Sequence, residues 1–99
     1  MTQAYTSPDT PRKVVDAAYR MLQDMGYTLI PSGRALTIDR SKACVHHTTT
    51  DAAFYAARAH LILGNIAIAE QFRDLAIETY RTLFGTLHGF GDRYGVPVG

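Results

Sequence analysis

One cysteine, Cys44, stands in 99 residues. A disulfide scaffold needs at least two, so nothing staples this fold internally, and a single thiol suits a reducing, cytoplasmic setting. An excess of one charge sign is equally lacking. Ten Lys and Arg oppose nine Asp and Glu, for a formal net charge of +1. Dedicated nucleic-acid and membrane-surface proteins normally carry a basic excess, so neither class is expected. The most apolar window, residues 52–69, is interrupted by Arg58, His60 and Asn65 and does not read as a membrane span. The opening, MTQAYTSPDTP, has no basic start and no apolar run, so no signal peptide is expected. Missing too are the G-x-S-x-G elbow, the phosphate-binding loop and the glycine fingerprint of dinucleotide folds. Without a catalytic constellation, the chain is expected to be neither an enzyme nor the holder of a cofactor.

What is present suits one small globular domain over residues 1–99, since 46% of the residues are apolar. Residues 1–8 read as a polar leader. Pro11 then opens a predicted helix over 11–25, with Asp9 or Thr10 as its N-cap and Gly26 as a left-handed stop. Val14, Ala18, Met21, Leu22 and Met25 fall on one face of it. Two β-prone runs follow, Tyr27–Ile30 and Leu36–Ile38, separated by the turn composition Pro31-Ser32-Gly33-Arg34. Leu36 and Ile38 share a side, so one face of this hairpin meets a core. Residues 43–46 are a candidate third strand.

The stretch ACVHHTTTD, residues 43–51, collects one Cys, two His, three Thr and an Asp. Three chemistries compete for it. On a strand, Cys44 and His46 would point the same way and offer two zinc ligands, with His47, His60, His88 or Asp51 as further donors. The same thiol and imidazole could form a nucleophile and base. However, the C-x-x-C and H-x-x-x-H spacings that make metal assignments strong are absent. The third chemistry is a helix start, with Thr48 or Thr50 as cap and Asp51 in the first turn. That is the expected role. Cys44 is then a small buried thiol, and the metal assignment is none. A basic group around the hairpin, Arg34, Arg40 and Lys42, is the corresponding nucleic-acid candidate, with Asp39 among it.

Downstream the pattern is helical, with predicted helices over 51–63 and 66–84 broken at Gly64-Asn65. The second carries Ile68, Ala69, Phe72, Leu75, Ala76, Tyr80, Leu83 and Leu87 along one stripe. From Ala53 to Ala76 the chain resembles a single tetratricopeptide unit, with Ala57, Gly64-Asn65, Ala69 and Ala76 at that family's small and turn positions. It departs from the pattern at Ala53, His60, Arg73 and Arg81, and there is no second copy. The resemblance implies a helical hairpin. Residues 85–99 hold five of the eight glycines and read as an irregular tail.

The expected fold is therefore α+β. A small antiparallel hairpin or three-stranded sheet packs against three helices, in the order α-β-β-(β)-α-α, with a C-terminal helical hairpin. Helix 51–63 is apolar almost all round, which places it either at the centre of the core or against another chain. Interface candidates are Tyr55, Ala56 and Ala59 on that helix, Phe90 and Tyr94 in the tail, and Arg73, Glu78 and Arg81 on the polar side of the next helix. The expected function is a protein-binding module acting stoichiometrically as adaptor or inhibitor, as phage and mobile-element proteins directed at host defence complexes do. Its partner would be another protein or a second copy in a homodimer. The alternatives are a metal protein or enzyme built on Cys44, His46 and His47, and a nucleic-acid binder built on Arg34, Arg40 and Lys42.

Overall fold

The computed structural model describes residues 9–94; the leader and the last five residues of the tail lie outside them. The order is α1 (Asp9–Asp24), β1 (Thr28–Ser32), β2 (Ala35–Asp39), α2 (His47–Ile62), α3 (Ile66–Phe84) and α4 (Phe90–Tyr94). The result is a small α+β fold: a helix, a two-stranded antiparallel hairpin, then helices.

The first helix is described from Asp9, one of the two caps expected for it, and Pro11 lies in its first turn. The first turn has no internal partner for its N–H groups, so proline is tolerated there as well. Its buried side also differs from the expected one. Pro11, Ala18 and Leu22 are buried and Val15, Tyr19 and Met25 half-buried, whereas Val14 and Met21 are exposed. Gly26 ends the helix at φ +97. The Tyr27 amide donates to the Leu22 carbonyl at 3.1 Å and the Gly26 amide to Gln23 at 3.0 Å, a Schellman closure.

The hairpin turns through Gly33-Arg34, pairing Ser32 with Ala35, Pro31 with Leu36 and Leu29 with Ile38. Leu36 is buried and Ile38 half-buried, as the alternation requires. The Gln71 side-chain amide of α3 bonds the backbone of Leu36 on both sides, accepting from its N–H at 2.9 Å and donating to its carbonyl. Those groups of Leu36 therefore face away from β1, so its partner Pro31 sits where the ladder needs no N–H. One device blunts each edge of the sheet: proline on β1, a glutamine side chain on β2.

No third strand forms among the described residues. Residues 43–46 cross the end of α1, where the Cys44 amide donates to the Met25 carbonyl at 2.8 Å. With no neighbouring strand to pair with, β-prone residues do not make a sheet. The crossing is tight, since a Cβ on Gly26 would lie 2.3 Å from the Lys42 carbonyl oxygen.

The second helix begins at His47, and its cap is neither Thr48 nor Thr50. The His46 amide donates to Thr49 Oγ1 at 2.8 Å, so the Thr49 hydroxyl closes the turn from inside the helix. Gly64, at φ +86, then ends it with a second Schellman closure, the Asn65 amide reaching the His60 carbonyl at 2.8 Å. Asn65 precedes α3 without capping it through its side chain, which bonds His60 Nδ1 instead.

The core lies along α2, which packs against α1 on one flank and α3 on the other. Ala52, Ala53, Ala56, Ala57 and Ala59 are buried, and their small side chains let both neighbours approach closely. Phe72, Leu75 and Ala76 of α3 and Leu22 of α1 fill the space between. Two buried hydroxyls, Thr50 and Thr79, satisfy one another at 2.8 Å across the α2–α3 seam.

The expected irregular tail contains a helix. The short α4 folds back so that Phe90 is fully buried, its ring edge-on to Tyr80 at 5.2 Å. The Tyr80 hydroxyl donates to the His88 carbonyl at 2.9 Å and fixes the approach.

Candidate protein interface

The Cys–His segment does not assemble a site. Cys44 is exposed on the crossing segment, so it is not the buried strand thiol expected, and His46 and His47 are exposed beside it. His60 is elsewhere, buried in α2. Its Nε2 pairs with the Tyr19 hydroxyl at 3.0 Å, its Nδ1 with Asn65 at 3.2 Å, and its ring stacks on Phe72 at 5.7 Å. Desolvation holds its pKa below the ordinary imidazole value. Among the described residues no group of three or more His, Cys, Asp or Glu side chains is placed to hold a metal ion.

The basic group is also divided. Arg40, just past β2, pairs its Nε with Glu78 of α3 at 3.0 Å. Arg34 sits in the hairpin turn and Lys42 beyond the other end of the hairpin, both exposed. A paired arginine between separated cations is not a continuous phosphate-binding stripe.

The interface candidates fall into three sets. Ala56 is 0% exposed and Ala59 is buried with it, so this side of α2 is central core. Phe90 is buried under α4, while Tyr94 donates its hydroxyl to Asp51 and packs its ring 4.4 Å from Phe54. Burial, then that bond to the carboxylate, pushes the Tyr94 pKa up to about 12. Arg93 adds an ion pair to Asp51 at 3.5 Å, so α4 is latched to the start of α2. Arg73, Glu78 and Arg81 are exposed on α3, with Arg73 beside Asp74 and Glu78 taken by Arg40. Of the apolar candidates, Tyr55 alone is largely exposed, at 52%.

Tyr55 does not stand alone. Thr48, Asp51, Tyr55, Arg58 and Ile62 recur at three- and four-residue spacing, which makes one stripe along α2. Ile62 is 70% exposed, and Leu61 and Ile66, on either side of the Gly64 turn, are exposed too. On α1, Val14, Ala17, Met21 and Asp24 form a second exposed stripe by the same spacing. Both stripes lie on one side of the molecule. Tyr19, on the opposite flank of α1, is turned inward to His60 and to Phe72 of α3, the rings 5.5 Å apart in the latter pair. Val14 and Met21 are therefore left on the flank beside the open stripe of α2. Four of the eight large exposed apolar side chains among the described residues, Val14, Met21, Tyr55 and Ile62, belong to these two stripes; Leu61 and Ile66 flank the Gly64 turn, and Ile30 on the hairpin and Phe84 at the end of α3 are the others.

The helical periodicity of α1 places Val14 and Met21 on its core face, whereas both are exposed, and the exposed Leu61, Ile62 and Ile66 are not among the interface candidates that the sequence suggests. Their sequence signal was weak but present: the chain has more apolar residues on α1 and α2 than one buried face of each can take. No family model, curated protein or solved structure matches the chain. Among the described residues no helix is long and apolar enough to cross a membrane.

Proposed function

We propose that this chain is a non-enzymatic protein-binding module that works stoichiometrically, as an adaptor or an inhibitor, through the open face of α1 and α2. One observation carries the reading: Val14 and Met21 stand exposed on α1, and Tyr55 and Ile62 stand exposed on α2, the helix it packs against. Scattered apolar side chains are ordinary on a surface, but a contiguous apolar group with an aromatic in it is characteristic of a contact surface. The face is rigid, being built on helices whose other sides are core, so little conformational entropy opposes docking. The blunted edges of the hairpin disfavour strand addition as the mode of recognition.

A photo-crosslinking residue in place of Arg58, at the middle of the face, tests this. The expected result is a discrete adduct of one-to-one stoichiometry, with a second copy or with a foreign protein, that disappears when Ile62→Glu is added. Adducts that form only from a probe at Cys44 or Arg34, and are unaffected by Ile62→Glu, would defeat the reading.

A further inference from the structure

The last helix is held differently from the other three. Its five residues make little more than one turn, and an isolated helix that short is not stable in water. Order at α4 therefore comes from what it touches on α2 and α3, through two anchors. Phe90, 1% exposed, enters an aromatic seat, edge-on to Tyr80 at 5.2 Å and to Phe54 at 6.5 Å. Tyr94 lays its ring against Phe54 and its hydroxyl on Asp51, where Arg93 joins it. The connection from α3 has a glycine of positive φ at each end, Gly85 at +74 and Gly89 at +86. At Gly89 a Cβ would stand 3.1 Å from the Tyr80 hydroxyl, so glycine also permits the close approach there.

We infer that α4 is a strap that opens as a unit while α1, α2 and α3 stay folded, and that its opening bares the aromatic seat of Phe54 and Tyr80. The three long helices share one core, from Leu22 through Ala56 to Leu75. Releasing α4 gives up two rings and one carboxylate latch and leaves that core intact. A segment with so few buried contacts opens at a lower free energy than the whole fold. Within the latch the Arg93 side chain is half exposed, so its ion pair contributes little, and the Tyr94 hydroxyl on the Asp51 carboxylate is the stronger hold. The bared seat adjoins Tyr55, whose ring stands edge-on to Phe54 at 6.1 Å. The closed strap thereby keeps Phe54 out of the exposed stripe of α2, and the open strap extends that stripe by an aromatic ring.

Native-state hydrogen exchange of the full chain, at urea concentrations below the unfolding transition, tests the inference. The Arg93 amide, which donates to the Gly89 carbonyl at 2.9 Å, reports the strap. The amides of Ala56 and Leu75, at buried positions of α2 and α3, report the body. Arg93 should exchange more slowly than in a free chain but at least about a hundredfold faster than Ala56 and Leu75. Its rate should hardly respond to urea, because little surface is exposed on opening. Gly64→Ala, remote from α4, should speed Ala56 and Leu75 about tenfold and leave Arg93 unchanged. Tyr94→Phe, which removes the hydroxyl and keeps the ring, should speed Arg93 about tenfold. An Arg93 amide that follows Ala56 and Leu75 in urea and in Gly64→Ala would show that α4 opens only with the body, and would overturn the inference. So would Arg93 exchange at the free-chain rate, or exchange indifferent to Tyr94→Phe.

Discussion

Gly26 and Gly64 end consecutive long helices with the same closure, and replacing each by alanine separates two costs that usually come together. Both have positive φ, +97 and +86, where an L side chain is strained by about 1–2 kcal/mol. Around Gly64 a new Cβ meets nothing within 4 Å, so Gly64→Ala carries the strain alone. At Gly26 the same atom would lie 2.3 Å from the Lys42 carbonyl oxygen and 3.1 Å from the Ala43 Cα. These are backbone atoms, and the Cys44–Met25 hydrogen bond holds them, so the crossing segment must shift. Overpacking of this kind adds about 1–3 kcal/mol. Gly26→Ala should therefore cost about 2–5 kcal/mol, against roughly 5–15 kcal/mol of total stability for a chain this size. Urea unfolding followed by circular dichroism gives both values. The expected outcome is a Gly26 variant less stable than the Gly64 variant by at least about 1 kcal/mol, with unchanged m-values. Equal losses would mean that the crossing does not press on Gly26. A gain in stability from Gly64→Ala would mean that α2 and α3 run through as one helix.

Further substitutions test the remaining assignments. Ala56→Glu puts a carboxylate at a site with no exposure and should unfold the chain or cost more than about 3 kcal/mol, read as a lost cooperative transition in thermal melting. Cys44→Ser, now that the thiol is seen to be exposed, should change stability by less than about 0.5 kcal/mol in the same melt. His60 is held neutral by burial, so its folded pKa lies below 6.5 and the unfolded chain binds the proton first. Its contribution is full above pH 6.5 and is lost as pH falls from there toward the lowered folded pKa. Urea titrations at stepped pH should show a decline below pH 6.5 that is absent in His60→Gln; parallel curves for the two proteins would refute the buried-imidazole account.

Much of the fold was legible because its boundaries are set by local chemistry. Gly26, Gly33 and Gly64 each adopt the positive φ that marks a stop or a turn, and the alternation of Leu36 and Ile38 placed one side of the hairpin on the core. What escaped depended on partners distant in sequence. Residues 43–46 have β-prone side chains but no strand beside them, and a backbone bond to Met25 claims one of their amides. The five-residue α4 was hidden by the glycines around it, since its helical turn is held by Phe90 packing under Tyr80 rather than by propensity. The thiol of Cys44 was expected inside because free cysteines usually are; its place on a crossing segment turned it out. Similarly, the face of α1 was drawn about one residue off centre. Val14 and Val15 satisfy the same periodicity, and only the position of Tyr19 over His60 decides which of them turns inward. That displacement conceals the exposed face: with Val14 and Met21 counted as core, the open face loses the apolar side chains of α1.

The central claim is that this face is apolar for a partner and not for the core, and Ile62→Glu tests it in one protein. Stability and association should be measured side by side, by urea unfolding and by sedimentation equilibrium with the photo-crosslinking assay. The account requires an unfolding free energy within about 0.5 kcal/mol of the parent, because the side chain is 70% exposed, together with loss of association and of the Arg58-position adduct. A variant that unfolds would show that Ile62 belongs to the core, and a stable variant that associates undiminished would show that the face is not where this protein binds.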